Sequence, residues 1–266
     1  MRKRNVPGCI CITPDGNRRA WRRKRWLWKL LKRETNAHER GLVASRRIIQ
    51  AALDAGVKHV VLWAASESNI VSRKPEEIRI LIGLLKSELR AREAESMTDI
   101  EIEKNRFRLC GNWRAYIDDP ELEELVQRAE EKTAEHTDRT LTILFSYSGE
   151  TEVAEAHRSL VLSGEVTLEE LRILSTEELK GRERKHLWTA HVPNVDLHIR
   201  TGVRRKRSFP NFVFGKLSPN ASDPLLPIQT QNTVLYFTAR LWPNFRVRHL
   251  NRAFAVWKKH QLNRGA

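Results

Sequence analysis

CICITPDGNRR, residues 9–19, is the stretch whose reading decides the fold. Ile10, Ile12 and Thr13 make a short apolar, β-branched run of the kind that builds a buried strand. Pro14-Asp15-Gly16-Asn17 ends that run with turn chemistry, and basic, helix-compatible sequence follows at once. A strand, a tight turn and a helix start gather backbone N–H groups at one point, which suits a phosphate. Asp15 stands in that turn as a carboxylate able to hold Mg²⁺, and Arg18 and Arg19 add permanent positive charge. An ordinary Asp-Gly turn after a strand has the same local sequence. The surroundings decide between the two.

Outward from this point, strand patterns recur at 57–64, 106–110, 141–145, 195–199 and 234–237. Helical patterns lie between and after them, at 42–55, from Pro75 through Leu89, at 119–134, 151–162, 167–172 and 247–260. Strands alternating with helices predict an α/β fold with a mostly parallel central sheet flanked by helices. The pattern has no internal repeat and reads as one domain over 1–266. Ligands of such sheets sit at the strands' C-terminal edge. The segments there are Ala65–Asn69, read as a polar loop, Ser146–Glu150, and Arg200-Thr201-Gly202. The helix after Pro75 is apolar on more than one face, so it is either well buried or lines an apolar cavity. Residues 203–233 interrupt the alternation. Basic at first, then rich in Pro, Ser and Asn, they read as an atypical loop or insertion, or as a misread stretch.

The 48 Lys and Arg against 33 Asp and Glu, net +15, call for anionic partners: phosphorylated small molecules, nucleic acid or an acidic membrane face. Residues 18–33 are the most basic, with Trp21, Leu27, Trp28, Leu30 and Leu31 at helical spacings. Such a helix packs its apolar stripe on its own domain, lies on a membrane surface, or binds nucleic acid. Three cysteines give neither a disulfide framework nor a metal knuckle; Cys9 and Cys11 share a face of the first strand as core thiols. Without an apolar stretch behind Met1–Pro7 or any run long enough to span a membrane, the expectation is a cytoplasmic protein. A lone His such as His38 is ordinarily a surface or capping residue.

Read together, the strand-end segments resemble those of the cis-prenyltransferases, the undecaprenyl diphosphate synthase family. Asp15-Gly16-Asn17-Arg18-Arg19 resembles the family's diphosphate-binding motif. His38 with Gly41 is similar to its Gly-His-x-x-Gly element, with Ala37 for the first Gly. Ser66-Glu67-Ser68-Asn69, then Arg73-x-Pro75-x-Glu77, resembles its Ser-x-Glu-Asn-Trp, Arg-Pro-x-x-Glu segment. Tyr147-Ser148-Gly149 is similar to its Tyr-Gly-Gly turn. Pro193-x-Val195-Asp196-Leu197-x-Ile199-Arg200-Thr201 and Leu235-Tyr236-Phe237-Thr238 with Leu241-Trp242-Pro243-x-Phe245 resemble its last two motifs. The six segments occur in family order over nearly the whole chain.

The resemblance implies condensation of isopentenyl diphosphate with an allylic diphosphate to give a Z-polyprenyl diphosphate, with Mg²⁺ as cofactor. It implies that Asp15 organises Mg²⁺ and the transferring diphosphate. Gly16, Asn17, Arg18 and Arg19 would cradle the allylic diphosphate, with His38 contributing. Asn69 and Ser66 would lie near the reacting centre, and Arg73 and Glu77 would support that wall. Arg200 would grip isopentenyl diphosphate, helped by an Arg207-Ser208 pair, and the apolar helices at 42–55 and 78–89 would hold the growing chain. A homodimer and peripheral membrane contact are family expectations; nucleic acid becomes an unlikely partner. The chain departs from the pattern at Arg204 and Val234, where the family has acids that help hold Mg²⁺, and at Ala65 and Ile70, where it has aromatics. An Arg at a metal position replaces attraction with repulsion. The alternative is therefore a catalytically weak or inactive relative that binds polyprenyl diphosphate or supports a partner subunit.

Overall fold

The fold is described from a computed structural model, which defines residues 5–22, 37–94, 105–205, 217–218 and 225–263. Six strands form one parallel sheet: β1 (Cys9–Thr13), β2 (His59–Trp63), β3 (Arg106–Cys110), β4 (Thr140–Leu144), β5 (Leu197–Arg200) and β8 (Val234–Phe237), in spatial order β3-β4-β2-β1-β5-β8. β6 (Arg204–Arg205) and β7 (Leu217–Ser218) pair antiparallel within the atypical segment. The helices are α1 (17–22), α2 (Ala37–Asp54), α3 (Glu67–Ser72), α4 (Pro75–Glu93), α5 (Pro120–Lys132), α6 (Gly149–Leu162), α7 (Leu168–Ile173), α8 (Thr176–His186) and α9 (Val247–Asn263). The α/β reading with a parallel sheet and flanking helices holds.

β1 sits inside the sheet and is buried on both faces, as parallel strands are. Ile10 and Ile12 point into one core with Ile48, Ile49, Trp242 and Phe254. Cys9 and Cys11 alternate to the other face, beside Val61, Trp63 and Tyr147. From β1 the chain crosses to β2 on one side, whereas β5, on the other side of β1, leads on to β8. The direction of winding thus reverses between β1 and β5. A crevice opens at the C-terminal ends of such strands.

Some local readings change, among them the start of α2, at Ala37 rather than 42. Ala65–Asn69 is not simply a polar loop: Ser66 is the N-cap of α3, its Oγ accepting the Asn69 amide. A cap competes well here because the first helical amides have no other partner. α8 has no counterpart in the sequence reading, since it carries no apolar stripe. Its start is nonetheless written as a capping box, Ser175 with Glu178.

Candidate diphosphate-binding site

The crevice is a cavity of about 710 Å³ at the ends of β1, β2 and β5. Among the described residues, six arginines line it, Arg18, Arg19, Arg22, Arg73, Arg200 and Arg204, against one carboxylate, Asp15. That charge balance fits a ligand with several negative charges.

The turn after β1 is held from three sides. The Asp15 amide donates to Thr201 Oγ1 at 2.9 Å, and that hydroxyl donates back to the Asp15 carbonyl at 3.1 Å. The Trp242 amide donates to the same carbonyl at 3.0 Å. Gly16 adopts φ +109°, and a Cβ there would meet Leu241 at 2.6 Å. Gly202, at φ +68°, lies so close that a Cβ would meet the Asp15 carbonyl oxygen at 2.5 Å. Both glycines are required by conformation and by contact. Arg19 reaches across the crevice, donating to the Asp15 carboxylate at 2.9 Å and to the Gly202 carbonyl at 2.6 Å.

The opposite wall is α3 and its cap. Arg73 donates from Nε and Nη2 to Asn69 Oδ1, at 3.1 and 2.7 Å, and Asn69 Nδ2 donates to Ser66 Oγ. This fixes which way the Asn69 amide points. Glu67, on the same helix, accepts from Asn112, Tyr116 and Thr151 and anchors α3 to its neighbours. Burial and nearby Arg18 lower the pKa of Arg73, with Glu77 and Asp15 opposing. Burial and Arg73 also lower that of His38, so His38 is neutral at pH 7. Glu77 pairs with Arg18 at 3.6 Å and stands behind the lining.

The structure therefore brings Asp15, Gly16, Asn17, Arg18, Arg19, His38, Ser66, Asn69, Arg73 and Arg200 to one cavity, with Glu77 supporting them. Arg207 and Ser208 lie outside the described residues, as does most of the 18–33 segment. Arg204 lines the cavity, but Val234 does not: it is buried in the core opposite Leu197, at the other end of β5 and β8. Arg22 was missed by sequence reasoning. Its signal was available, since it lies one turn beyond Arg18 on a helix that starts at the motif.

A second, apolar cavity of about 140 Å³ adjoins the first and shares Pro14, Asn17, His38 and Ala64 with it. Leu42 and Ile49 of α2, Leu81, Leu84 and Leu85 of α4, and Leu62 and Phe145 from the sheet line it. The apolar faces of α4 are thus explained by a cavity.

Among the described residues, no group of three or more His, Cys, Asp and Glu side chains could hold a metal ion. A single carboxylate still suits Mg²⁺ that arrives on a diphosphate, because Mg²⁺ keeps waters and binds through one or two carboxylates plus phosphate oxygens. Asp15 fits that arrangement.

Residues 13–265 match the family model described as "Putative undecaprenyl diphosphate synthase". An isoprenyl transferase of Ralstonia nicotianae is 32% identical over 98% of this chain and 88% of its own length. One from Nitrosomonas europaea is 31% identical over 98% and 86%. A tritrans,polycis-undecaprenyl-diphosphate synthase (geranylgeranyl-diphosphate specific) of Archaeoglobus fulgidus is 30% identical over 98% and 94%. Among solved structures, lavandulyl diphosphate synthase from Lavandula x intermedia, in complex with dimethylallyl diphosphate, superposes with a TM-score of 0.71 at 22% identity, over 96% of each chain. A probable undecaprenyl diphosphate synthase from Campylobacter jejuni gives 0.64 at 20%, also over 96% of each.

Proposed function

The chain belongs to the undecaprenyl diphosphate synthase family of prenyltransferases, and from that premise we propose that it condenses isopentenyl diphosphate with an allylic diphosphate to make a Z-polyprenyl diphosphate. The observation that carries this reading is the junction of two cavities, one rich in arginine and one apolar, with shared walls at Asn17 and His38. A prenyl diphosphate is an anion on a hydrocarbon, and the junction has a place for each part.

In this reading the allylic diphosphate lies on the turn after β1. The backbone there, held by Thr201 and Trp242, does not need to reorganise as the leaving group gathers charge. Arg18 and Arg19 offer guanidinium donors to its oxygens. Arg200, at the tip of β5, holds isopentenyl diphosphate on the other side of the reversal point. Asn69, its amide fixed by Arg73 and Ser66, lies against the reacting carbons, and Asp15 holds Mg²⁺. When bound, Mg²⁺ neutralises part of the diphosphate charge and so favours its departure. The apolar cavity receives the tail. A homodimer and contact with a membrane surface belong to the same proposal. Among the described residues, no helix is long and apolar enough to cross a membrane.

Arg204 favours a second reading, a weak or inactive relative that retains prenyl diphosphate binding, because it adds a positive charge where the family pattern has an acid. Incorporation of labelled isopentenyl diphosphate decides between them, with farnesyl or geranyl diphosphate as primer and Mg²⁺ present. Incorporation that disappears in Asp15→Ala supports an enzyme. A folded protein that binds the primer and incorporates nothing supports the second reading.

A further inference from the structure

The inner end of the apolar cavity is charged. Arg92 reaches it from the last turn of α4, 6% exposed, with its guanidinium 5.1 Å from the centre of the Phe107 ring. Burial lowers its pKa to about 10, which leaves it protonated at pH 7. Its Nη1 is buried and has no hydrogen-bond partner. The carboxylate one turn before it, Glu88, is engaged instead by Arg46 of α2, whose Nε donates at 2.9 Å and whose Nη2 bonds the other oxygen. That ion pair ties α2 to α4 beside the cavity.

Beyond Arg92 lies another cavity, of about 320 Å³, between α4 and α5, lined by Leu125, Ala129 and Thr133 among others. Among the described residues, only Leu89 and Arg92 belong to the linings of both cavities. They are the partition. A buried guanidinium with an unsatisfied nitrogen is a poor surface for a hydrocarbon end to press against, and buried polar groups without partners are rare enough to need a reason.

Resting on the reading of the chain as a prenyltransferase, we propose that Arg92, backed by Leu89, is a specificity-determining residue that floors the prenyl cavity and limits this protein to short-chain products. At roughly 10–30 Å³ per water-sized group, 140 Å³ holds on the order of five to fourteen heavy atoms, one to nearly three C5 units. Removing the floor joins the tail path to the outer 320 Å³, room for at least two units more.

The test is binding by calorimetry of dimethylallyl, geranyl, farnesyl and geranylgeranyl diphosphates. It is run with Mg²⁺ and without isopentenyl diphosphate, so that no condensation occurs. Wild type is compared with Arg92→Ala and with Arg92→Met, which removes the buried charge while keeping an unbranched side chain and so guards against loss of fold. In wild type, geranylgeranyl diphosphate is expected to bind at least ten-fold more weakly than geranyl diphosphate. The gap should close in Arg92→Ala and narrow in Arg92→Met. In the incorporation assay, the variants should shift products to longer chains. Equal binding of all four ligands by wild type, or an unchanged gap in both variants, overturns the floor and leaves the prenyltransferase reading standing. Binding of none of the four overturns both.

Discussion

Thr201 Oγ1 and the backbone amide of Asp15 are joined at 2.9 Å across the gap between β5 and β1. One hydroxyl therefore sets the pose of the turn that carries the Asp15 carboxylate, from a position 186 residues away in sequence. Thr201→Val keeps the shape of the side chain and removes this part-buried link, leaving the Asp15 amide without that partner. The expected cost is about 1–2 kcal/mol of stability and on the order of ten-fold in kcat. Thr201→Ser should restore both, as read from urea unfolding and initial rates.

Arg73 presents two N–H groups to one oxygen of Asn69. A lysine cannot reproduce that fork. Arg73→Lys should therefore lower kcat on the order of 10–100-fold, with primer affinity little changed. A loss confined to primer binding would mean that Arg73 acts as a plain phosphate contact.

Arg204 faces the cavity beside Arg200 and Gly202. Arg204→Glu replaces a charge that repels Mg²⁺ with a potential ligand. Half-maximal activity should be reached at several-fold lower Mg²⁺ in the variant. The corresponding change at Val234 should instead destabilise the protein, because that side chain is buried in the core. Titration of activity against Mg²⁺, together with thermal unfolding, checks both expectations.

His198 shares a 2.8 Å hydrogen bond with Thr13, and burial, followed by the charge of Arg200, lowers its pKa to about 4. The unfolded chain takes up the proton near pH 6.5 while the folded chain does not. Stability contributed by the neutral ring is therefore complete above about pH 6.5 and falls as pH drops towards about 4, by up to about 3 kcal/mol. His198→Gln should flatten the stability profile between pH 7 and pH 4.5. A variant whose unfolding midpoint falls as steeply as that of wild type would assign the acid sensitivity to other groups.

Much of this molecule was legible before any coordinates. The β1 strand, its turn and the alternation of elements follow from residue type and period, because a buried parallel strand leaves few choices for its side chains. The turn chemistry alone leaves Asp15 to Arg19 open between an ordinary turn and a phosphate site, and the resemblance of the six strand-end segments taken together singles them out. What could not be read was the side chains' company. Nothing in the spelling of Thr201 says that it clamps Asp15, nor that Val234 is turned away from the cavity, since both depend on the register of β5 against β1 and β8. The apolar excess of α4 announced burial or a cavity without choosing. Arg92 at the inner end of that cavity was invisible because an arginine in a helix is ordinarily solvated.

The link between Trp242 and the start of the chain has a consequence for biosynthesis. Its amide holds the Asp15 carbonyl, and its indole N–H donates to the Gly41 carbonyl at 2.9 Å. Among the described residues, every arginine that lines the cavity is translated before Trp242. A nascent chain therefore carries the full set of anion-binding residues for the last part of its synthesis with no finished pocket to place them in. The segment that carries Trp242 works as a latch, and a chain that stalls before it presents these arginines without the turn that orders them.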